Sequence, residues 1–149
     1  MTISADSSAK LEDFFGIFAV DQGVGGVLVC SDDPLVITSR TFNTDPAGTF
    51  GQFIPAVPVL GASRRGDEAR LIQLTQDGLP GDTGFRTNIG LLNVTDGSLR
   101  AEIDLMTAAG ADISGRMITL EPYGYRQWNQ VFGSSVASVP DAYALVSTD

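Results

Sequence analysis

The chain has 149 residues, about the length of one domain, and 43% of them are apolar, which is enough to bury a core. Eighteen acidic against nine basic residues give a net charge of −9, which argues against binding to nucleic-acid phosphates or docking on an anionic membrane surface. The absence of histidine and the single cysteine exclude a Ser-His-Asp or Cys-His site, an intrachain disulfide and a cysteine-rich zinc site within this chain.

Residues 1–6 lack the basic region and the following apolar region of a secretory signal. No apolar run approaches the ~20 residues that cross a bilayer, so we expect no membrane insertion. The chain is therefore expected to be cytosolic or a mature piece of a secreted parent.

Two short helices and several strands are predicted in the first half and at the far end of the chain. Residues 10–15 and 125–132 each predict one or two helical turns, since Gly16 and Gly133 follow them as glycines follow many helices. Period-two alternation and β-branched residues predict strands at three places, residues 27–31, 35–42 and 69–75.

Turns and a loop separate these strands. Residues 32–34 predict a turn, and residues 43–66, which hold three prolines, predict a long loop that is functional or packed over the core. Cys30 falls within the first predicted strand, where we expect a small buried apolar side chain and no activity that depends on its thiol.

Alternation is clearest over residues 99–105, which predict a strand with one wet face. Leu99, Ala101, Ile103 and Leu105 alternate with Arg100, Glu102 and Asp104. Residues 85–94 predict the preceding strand, joined by an Asp-Gly turn of the hairpin type, and residues 115–120 predict the following strand. The second half is therefore predicted to hold a three-stranded meander.

The two ends of the chain match each other at an offset of 117 residues, so residues 2–32 and 119–149 are candidate partial copies of one repeat. The matching pairs include Phe15-Gly16 with Phe132-Gly133 and Leu28-Val29 with Leu145-Val146. A spare copy would leave apolar side chains in water, and the assembly candidates are Phe14, Phe15, Leu28 and Val29. Two outcomes stay open: both copies fit into one closed sandwich, or one copy packs on a neighbouring molecule.

Four segments resemble β-sandwich repeat modules of large secreted bacterial multi-repeat surface proteins. They are residues 39–43 (SRTFN), 46–55 (PAGTFGQFIP), 85–93 (FRTNIGLLN) and 119–122 (TLEP). This resemblance covers most of the chain from about residue 35 and implies an extracellular or cell-surface structural role. It supplies no catalytic residues.

Three groups of side chains are candidates for chemistry or contact. The aromatic residues Tyr123, Tyr125 and Trp128 could stack on a sugar or form a contact surface, or they could fix a helix over one end of the sandwich. Glu102 and Asp104, about 6.6 Å apart at two-residue spacing on a strand, could act as a hydrolytic carboxylate pair or form a solvated face. Weak candidates for Ca²⁺ are the turn aspartates Asp32, Asp33, Asp45, Asp77 and Asp82, in no ordered ligand pattern. Asn93 opens a glycosylation sequon.

The sequence as a whole predicts one all-β domain over residues 1–149, a mostly antiparallel β-sandwich, Ig-like or jelly-roll-like, with one or two short helices. We expect a structural or adhesive module of an extracellular or cell-surface assembly that associates with copies of itself or with neighbouring repeats. We expect no cofactor, no enzymatic activity and no nucleic-acid partner. The alternatives are a carbohydrate- or ligand-binding module that uses residues 43–66 and 123–128, and a carboxylate-dependent glycoside hydrolase.

Overall fold

The computed structural model describes residues 1–46, 48–78, 85–133, 136 and 138–149, with the backbone alone at 42–45, 49 and 50. Within these residues, one helix, one 3-10 turn and eight strands follow each other. They are α1 (Phe14–Ile17), β1 (Thr38–Asp45), β2 (Gly48–Pro55), the 3-10 turn (Val59–Gly61), β3 (Glu68–Asp77), β4 (Ile89–Leu92), β5 (Leu99–Thr107), β6 (Asp112–Leu120), β7 (Tyr125–Trp128) and β8 (Ser138–Thr148).

The strands form three antiparallel sheets. The largest has four strands in the order β3-β8-β5-β6, and two-stranded sheets are formed by β4 with β7 and by β1 with β2. The predicted all-β class and the antiparallel pairing are confirmed. The choice between an Ig-like and a jelly-roll-like arrangement stays a prediction.

The core lies between the four-stranded sheet and the β4-β7 ribbon. Ile103 and Leu105 on β5 are buried and neighbour Val146 and Ala144 of β8 across the ladder. The outward residues of β5 include the exposed Arg100 and Glu102. The predicted wet-faced strand is therefore confirmed, because one face of β5 packs and the other meets water.

The ribbon and the turn after it cover this core from the other side. Ile89 of β4 is buried, Trp128 of β7 packs against the same cluster, and Val131 and Phe132 follow in the turn. The ladder continues past the strand ends, since Val131 N–H donates to Thr87 O at 2.9 Å. The fold is therefore two-layered and sandwich-like, with the second layer narrower than the first.

Two bulges interrupt the β3-β8 ladder. Ile72 and Gln73 together face one residue of β8, and two residues of β8, Pro140 and Asp141, face Thr75 in return. Gln73 adopts a left-handed backbone, with φ of 60°. Because each strand contributes one extra residue, the register at the two ends of the ladder is the same.

The predicted meander is wrong in its first pairing. Residues 89–92 form β4 but pair with β7 in the second layer, whereas β5 pairs with β6 and β8. Asn93 explains the difference, because its amide holds the turn that carries the chain from one layer to the other. The Asp-Gly turn therefore connects two sheets and does not close a hairpin.

The predicted helix at residues 125–132 is also wrong. Tyr125 to Trp128 form β7, and a turn follows in which Gly133 N–H donates to Gln130 O at 2.8 Å. Gly133 has a positive φ of 91°, so the glycine closes a turn and not a helix. Residues 125–128 form a strand because they pair with β4, and aromatic side chains favour a half-buried position in a sheet.

The predicted long loop at residues 43–66 is wrong over its first half. It contains the end of β1, all of β2 and the 3-10 turn. Gly48, the first residue of β2, has a φ of 143°. Glycine adopts such a positive φ easily, and this permits the tight connection between β1 and β2. The hairpin pairs with no other strand of the described chain.

The N-terminal segment differs most from its prediction. Residues 27–31 belong to no sheet, and Cys30 is exposed, so both the predicted strand and the predicted buried thiol are wrong for the single chain. The first helix lies later than predicted, at Phe14–Ile17, with Gly16 inside it. These residues lack a neighbouring strand to pair with, which is what a strand-forming sequence needs.

Candidate functional site

The N-terminal 37 residues form an exposed arm, and this name is kept below for residues 1–37. None of them is buried, and only Ile3, Phe14 and Ile37 are half-buried. Large apolar side chains are nevertheless frequent in the arm. Those exposed to solvent are Met1, Leu11, Phe15, Ile17, Phe18, Val20, Val24, Val27, Leu28, Val29, Leu35 and Val36. So many exposed apolar side chains in one segment make the arm a candidate interaction site.

The total surface area supports this interpretation of the arm. The chain exposes 11268 Å², whereas a compact monomer of 15.7 kDa exposes about 7,300 Å². The excess of about 4,000 Å² in one chain is larger than the share of one partner in most obligate interfaces, which bury about 2,000–5,000 Å² over both partners together. Leu74 is the first buried residue along the described chain, and of the described residues before it Ala69 packs partly buried against the core, so most of this half adds surface and little core.

Within the arm, α1 holds a small aromatic cluster. The rings of Phe14 and Phe18 lie 5.0 Å apart between centroids. Asp13 caps the helix, because its carboxylate accepts from Gly16 N–H at 3.2 Å. Phe14 is half-buried and Phe15 is exposed, so the two predicted assembly residues have different surroundings.

Charge contributes little to holding the arm. Lys10 Nζ lies 2.5 Å from Glu12 Oε1, and this hydrogen bond and the lysine charge lower the pKa of Glu12. Both side chains are largely exposed, so the pair contributes little to stability.

An apolar cleft brings the arm and the second layer together. It has a volume of about 270 Å³ and is lined by Gly26, Leu28, Leu92, Asn93, Val94 and Tyr123. At Gly26 an added Cβ would lie 2.5 Å from Leu92 Cδ2, so the arm backbone rests directly on that side chain. The cleft joins one predicted assembly residue, Leu28, with one predicted contact residue, Tyr123.

The three candidate aromatic residues do not form one platform. Trp128 packs against the core from the inner face of β7. Tyr125, three positions earlier on the strand, is on the opposite face, where its hydroxyl donates to Gln127 Oε1 at 2.7 Å. Tyr123 lies in the preceding turn, with φ of 55° and 57% of its surface exposed. Tyr123 is therefore the one of the three placed to meet a ligand at the cleft.

Asn93 fixes the floor of this cleft. Its Nδ2 donates to the carbonyl oxygens of Gly97 at 2.7 Å and Glu121 at 2.9 Å, and its Oδ1 accepts from Thr95 N–H at 2.9 Å. The side chain is 1% exposed. The sequon at Asn93 is therefore closed to glycosylation in the folded protein.

The two edge strands of the four-stranded sheet differ in protection. β3 is kinked by the bulge at Gln73 in its ladder with β8, and Asp77 N–H at its end donates to Phe85 O at 2.8 Å. Among the described residues β6 pairs with β5 alone, and it is unbulged from Ser114 to Leu120. The sheet therefore has one open edge, which sequence reasoning did not identify.

The candidate acidic residues are dispersed. Glu102 and Asp104 lie on the outer face of β5 beside Arg100. Asp32 and Asp33 lie in the arm and Asp77 ends β3, while the side chain of Asp45 and the whole of Asp82 are outside the described residues. Within the described part of the chain, no three acidic or cysteine side chains gather in a metal-binding group.

Comparisons with protein families, curated proteins and solved structures were also made. None of the three gave a match for this chain. In the parts of the chain that the structure describes, no helix has the length and apolar character needed to cross a membrane. The resemblance to bacterial surface repeats remains an expectation from sequence, and the geometry of the arm, the cleft and the sheet edge carries the functional argument.

Proposed function

We propose that this chain is a structural or adhesive module of an extracellular or cell-surface assembly and that it associates with copies of itself. The observation that carries the proposal is the surface area, about 4,000 Å² above that of a compact monomer. Among the residues whose burial the structure describes, none before Leu74 is buried, so the described first half of the chain contributes little core in the single molecule.

The free energy of transfer from water favours burial of the exposed apolar side chains of the arm. Val27, Leu28 and Val29 have 56%, 50% and 48% of their surfaces exposed. An apolar side chain that passes from fully exposed to fully buried contributes about 1.5–3 kcal/mol, so each of these half-exposed residues would contribute about half of that, and many arm residues together would offset the cost of association. A separate two-stranded hairpin such as β1-β2 is only marginally stable in water, so it also favours association with another copy.

The test measures molar mass by light scattering across a concentration series of the full chain. We expect masses above 15.7 kDa that rise with concentration. Val27→Asp combined with Val29→Asp should shift the series toward the monomer, because charges replace the apolar contact. The matched control is Gln22→Asp combined with Ser31→Asp, which adds the same charge beside the same segment without removing apolar surface.

A strictly monomeric full chain at high concentration would refute the proposal. So would equal loss of assembly in the control pair, since that result would make charge and not apolar contact the cause.

A second candidate function is binding of a carbohydrate or another small ligand at the cleft. The observation that favours it is the exposed ring of Tyr123 beside an apolar cavity of about 270 Å³. Binding on a glycan array that is lost with Tyr123→Ala and retained with Tyr125→Ala would support this candidate.

A further inference from the structure

We infer that residues 24–30 of one copy add as an extra strand to the β6 edge of a second copy. This inference rests on the proposed self-association and names its contact. Residues 24–30 are called the donor segment below, and Ser114–Leu120 of β6 is called the acceptor edge.

The acceptor edge presents an unprotected row of backbone donors and acceptors. Within the described residues its strand pairing is to β5 alone, and at its end Leu120 O also accepts from Asn93 Nδ2 at 3.3 Å. Proteins usually protect such edges with bulges, prolines or charges. The acceptor edge has no proline and a single charged residue, Arg116, whereas β3 has a bulge at Gln73 and contacts from Phe85.

The donor segment has the composition of a strand and no strand partner. Val27, Leu28, Val29 and Cys30 form a run of the type found in sheets, yet they pair with no strand in the described part of the chain. At the offset of 117 residues, Leu28-Val29 matches Leu145-Val146, which lie in β8 of the four-stranded sheet. A segment with that sequence is therefore suited to this type of ladder.

The two segments also agree in length and charge. Each has seven residues, which span about 23 Å in a strand. The donor segment is uncharged, and the charges that flank it are the carboxylates of Asp21, Asp32 and Asp33. The acceptor edge offers the guanidinium of Arg116, and the neighbouring β5 offers Arg100 opposite Thr119. Strand addition would supply main-chain hydrogen bonds. Attraction between the flanking carboxylates and these guanidinium groups would favour one placement of the donor segment along the acceptor edge.

The occupant is a second copy because the donor segment of the same chain is held elsewhere. Its Gly26 rests on Leu92 and its Leu28 lines the cleft, so it lies beside the β4-β7 layer and leaves β6 bare. The contact joins two different surfaces, so it is heterologous and continues from copy to copy as a filament unless a ring closes.

The single native cysteine makes the contact testable in the full chain. Two proteins are mixed: the wild-type chain with Cys30, and a chain of different tag length that carries Cys30→Ser with Met117→Cys. Mild oxidation then traps a mixed disulfide only where Cys30 of one copy lies beside β6 of another. The matched control places the new cysteine on the other edge strand, as Cys30→Ser with Arg70→Cys.

We expect the Met117→Cys mixture to give at least about tenfold more mixed disulfide than the Arg70→Cys mixture, because proximity raises the effective concentration. Adding Val27→Asp and Val29→Asp to the Cys30 chain should abolish the excess. A second acceptor variant, Ser114→Cys, keeps the test valid if Met117→Cys fails to fold.

Other outcomes overturn the inference in distinguishable ways. Equal trapping by the Arg70→Cys chain would remove β6 as the preferred edge. A chain carrying both Cys30 and Met117→Cys that closes on itself as a monomer, with no mixed product, would place the segment on its own β6. Concentration-dependent assembly without any β6 disulfide would refute this inference alone, whereas a strict monomer would refute the proposed function as well.

Discussion

Asn93 is a single buried amide that decides the path of the backbone between the two layers. Its Nδ2 donates to Gly97 O in the turn before β5 and to Glu121 O just after β6, and its Oδ1 accepts from Thr95 N–H in that first turn. Aspartate in its place would lose the donor group, and alanine would lose both. The residue therefore ties its own turn to the segment after β6, which is distant in sequence.

Replacing Asn93 by alanine should lower the free energy of unfolding by about 3 kcal/mol, because several buried polar groups lose their partners at once. Asn129→Ala should change it by less than about 0.5 kcal/mol, since Asn129 is exposed and accepts only from Gln127. Urea unfolding followed by circular dichroism measures both. Similar losses in the two variants would contradict the role given to Asn93.

Among the elements, β5 is the centre of the sheet, with β6 on one side and β8 on the other. Ile103 is 2% exposed and faces Val146 and Arg116 across the two ladders. Ile103→Asp should prevent folding, because a carboxylate without a partner would lie in the core. Glu102→Lys, one residue away on the wet face, should change stability by less than about 0.5 kcal/mol. Thermal melts of both variants check the assignment, and identical melts would contradict it.

Sequence reasoning succeeded where the pattern itself carries the structure. The alternation over residues 99–105 fixes which face of β5 is buried, and residues 69–75 fall within β3. The pairing of β4 with β7 could not be predicted in this way, since it depends on how the Asn93 turn directs the chain and not on local propensity.

In the arm, by contrast, the sequence pattern predicted a strand that the structure does not form. The run at residues 27–31 has the composition of a strand, but strand formation requires a neighbour, and the residues that the structure describes supply none within the single chain. The aromatic candidates were found, but their division between two faces of β7 and a turn follows from pairing. The acceptor edge on β6 was missed, although the scarcity of charge between Ser114 and Leu120 was a readable signal.

At the scale of the whole molecule, the net charge of −9 opposes the association that the apolar arm favours. Salt screens the repulsion between copies and leaves apolar contacts intact, since the screening length falls from about 30 Å at 0.01 M to about 8 Å at 0.15 M ionic strength. Association should therefore strengthen with sodium chloride over this range, as measured by sedimentation. Weakening with salt would show instead that local charge pairs dominate the contact.

The paired bulges of β3 and β8 have a consequence for tolerated changes in chain length. Deleting Gln73 leaves Ile72 alone opposite Tyr143 and preserves every other pair in the ladder, and it also removes a left-handed backbone. Deleting Thr75 makes Leu74 and Gln76 neighbours, so that both cannot face the core. We expect the first deletion to change stability by about 1 kcal/mol or less and the second to unfold the protein, as read from urea titrations. Loss of the fold in both would show that the bulge itself is required. The seam between these two strands is thus a place where a residue can be lost without disturbing the rest of the sheet.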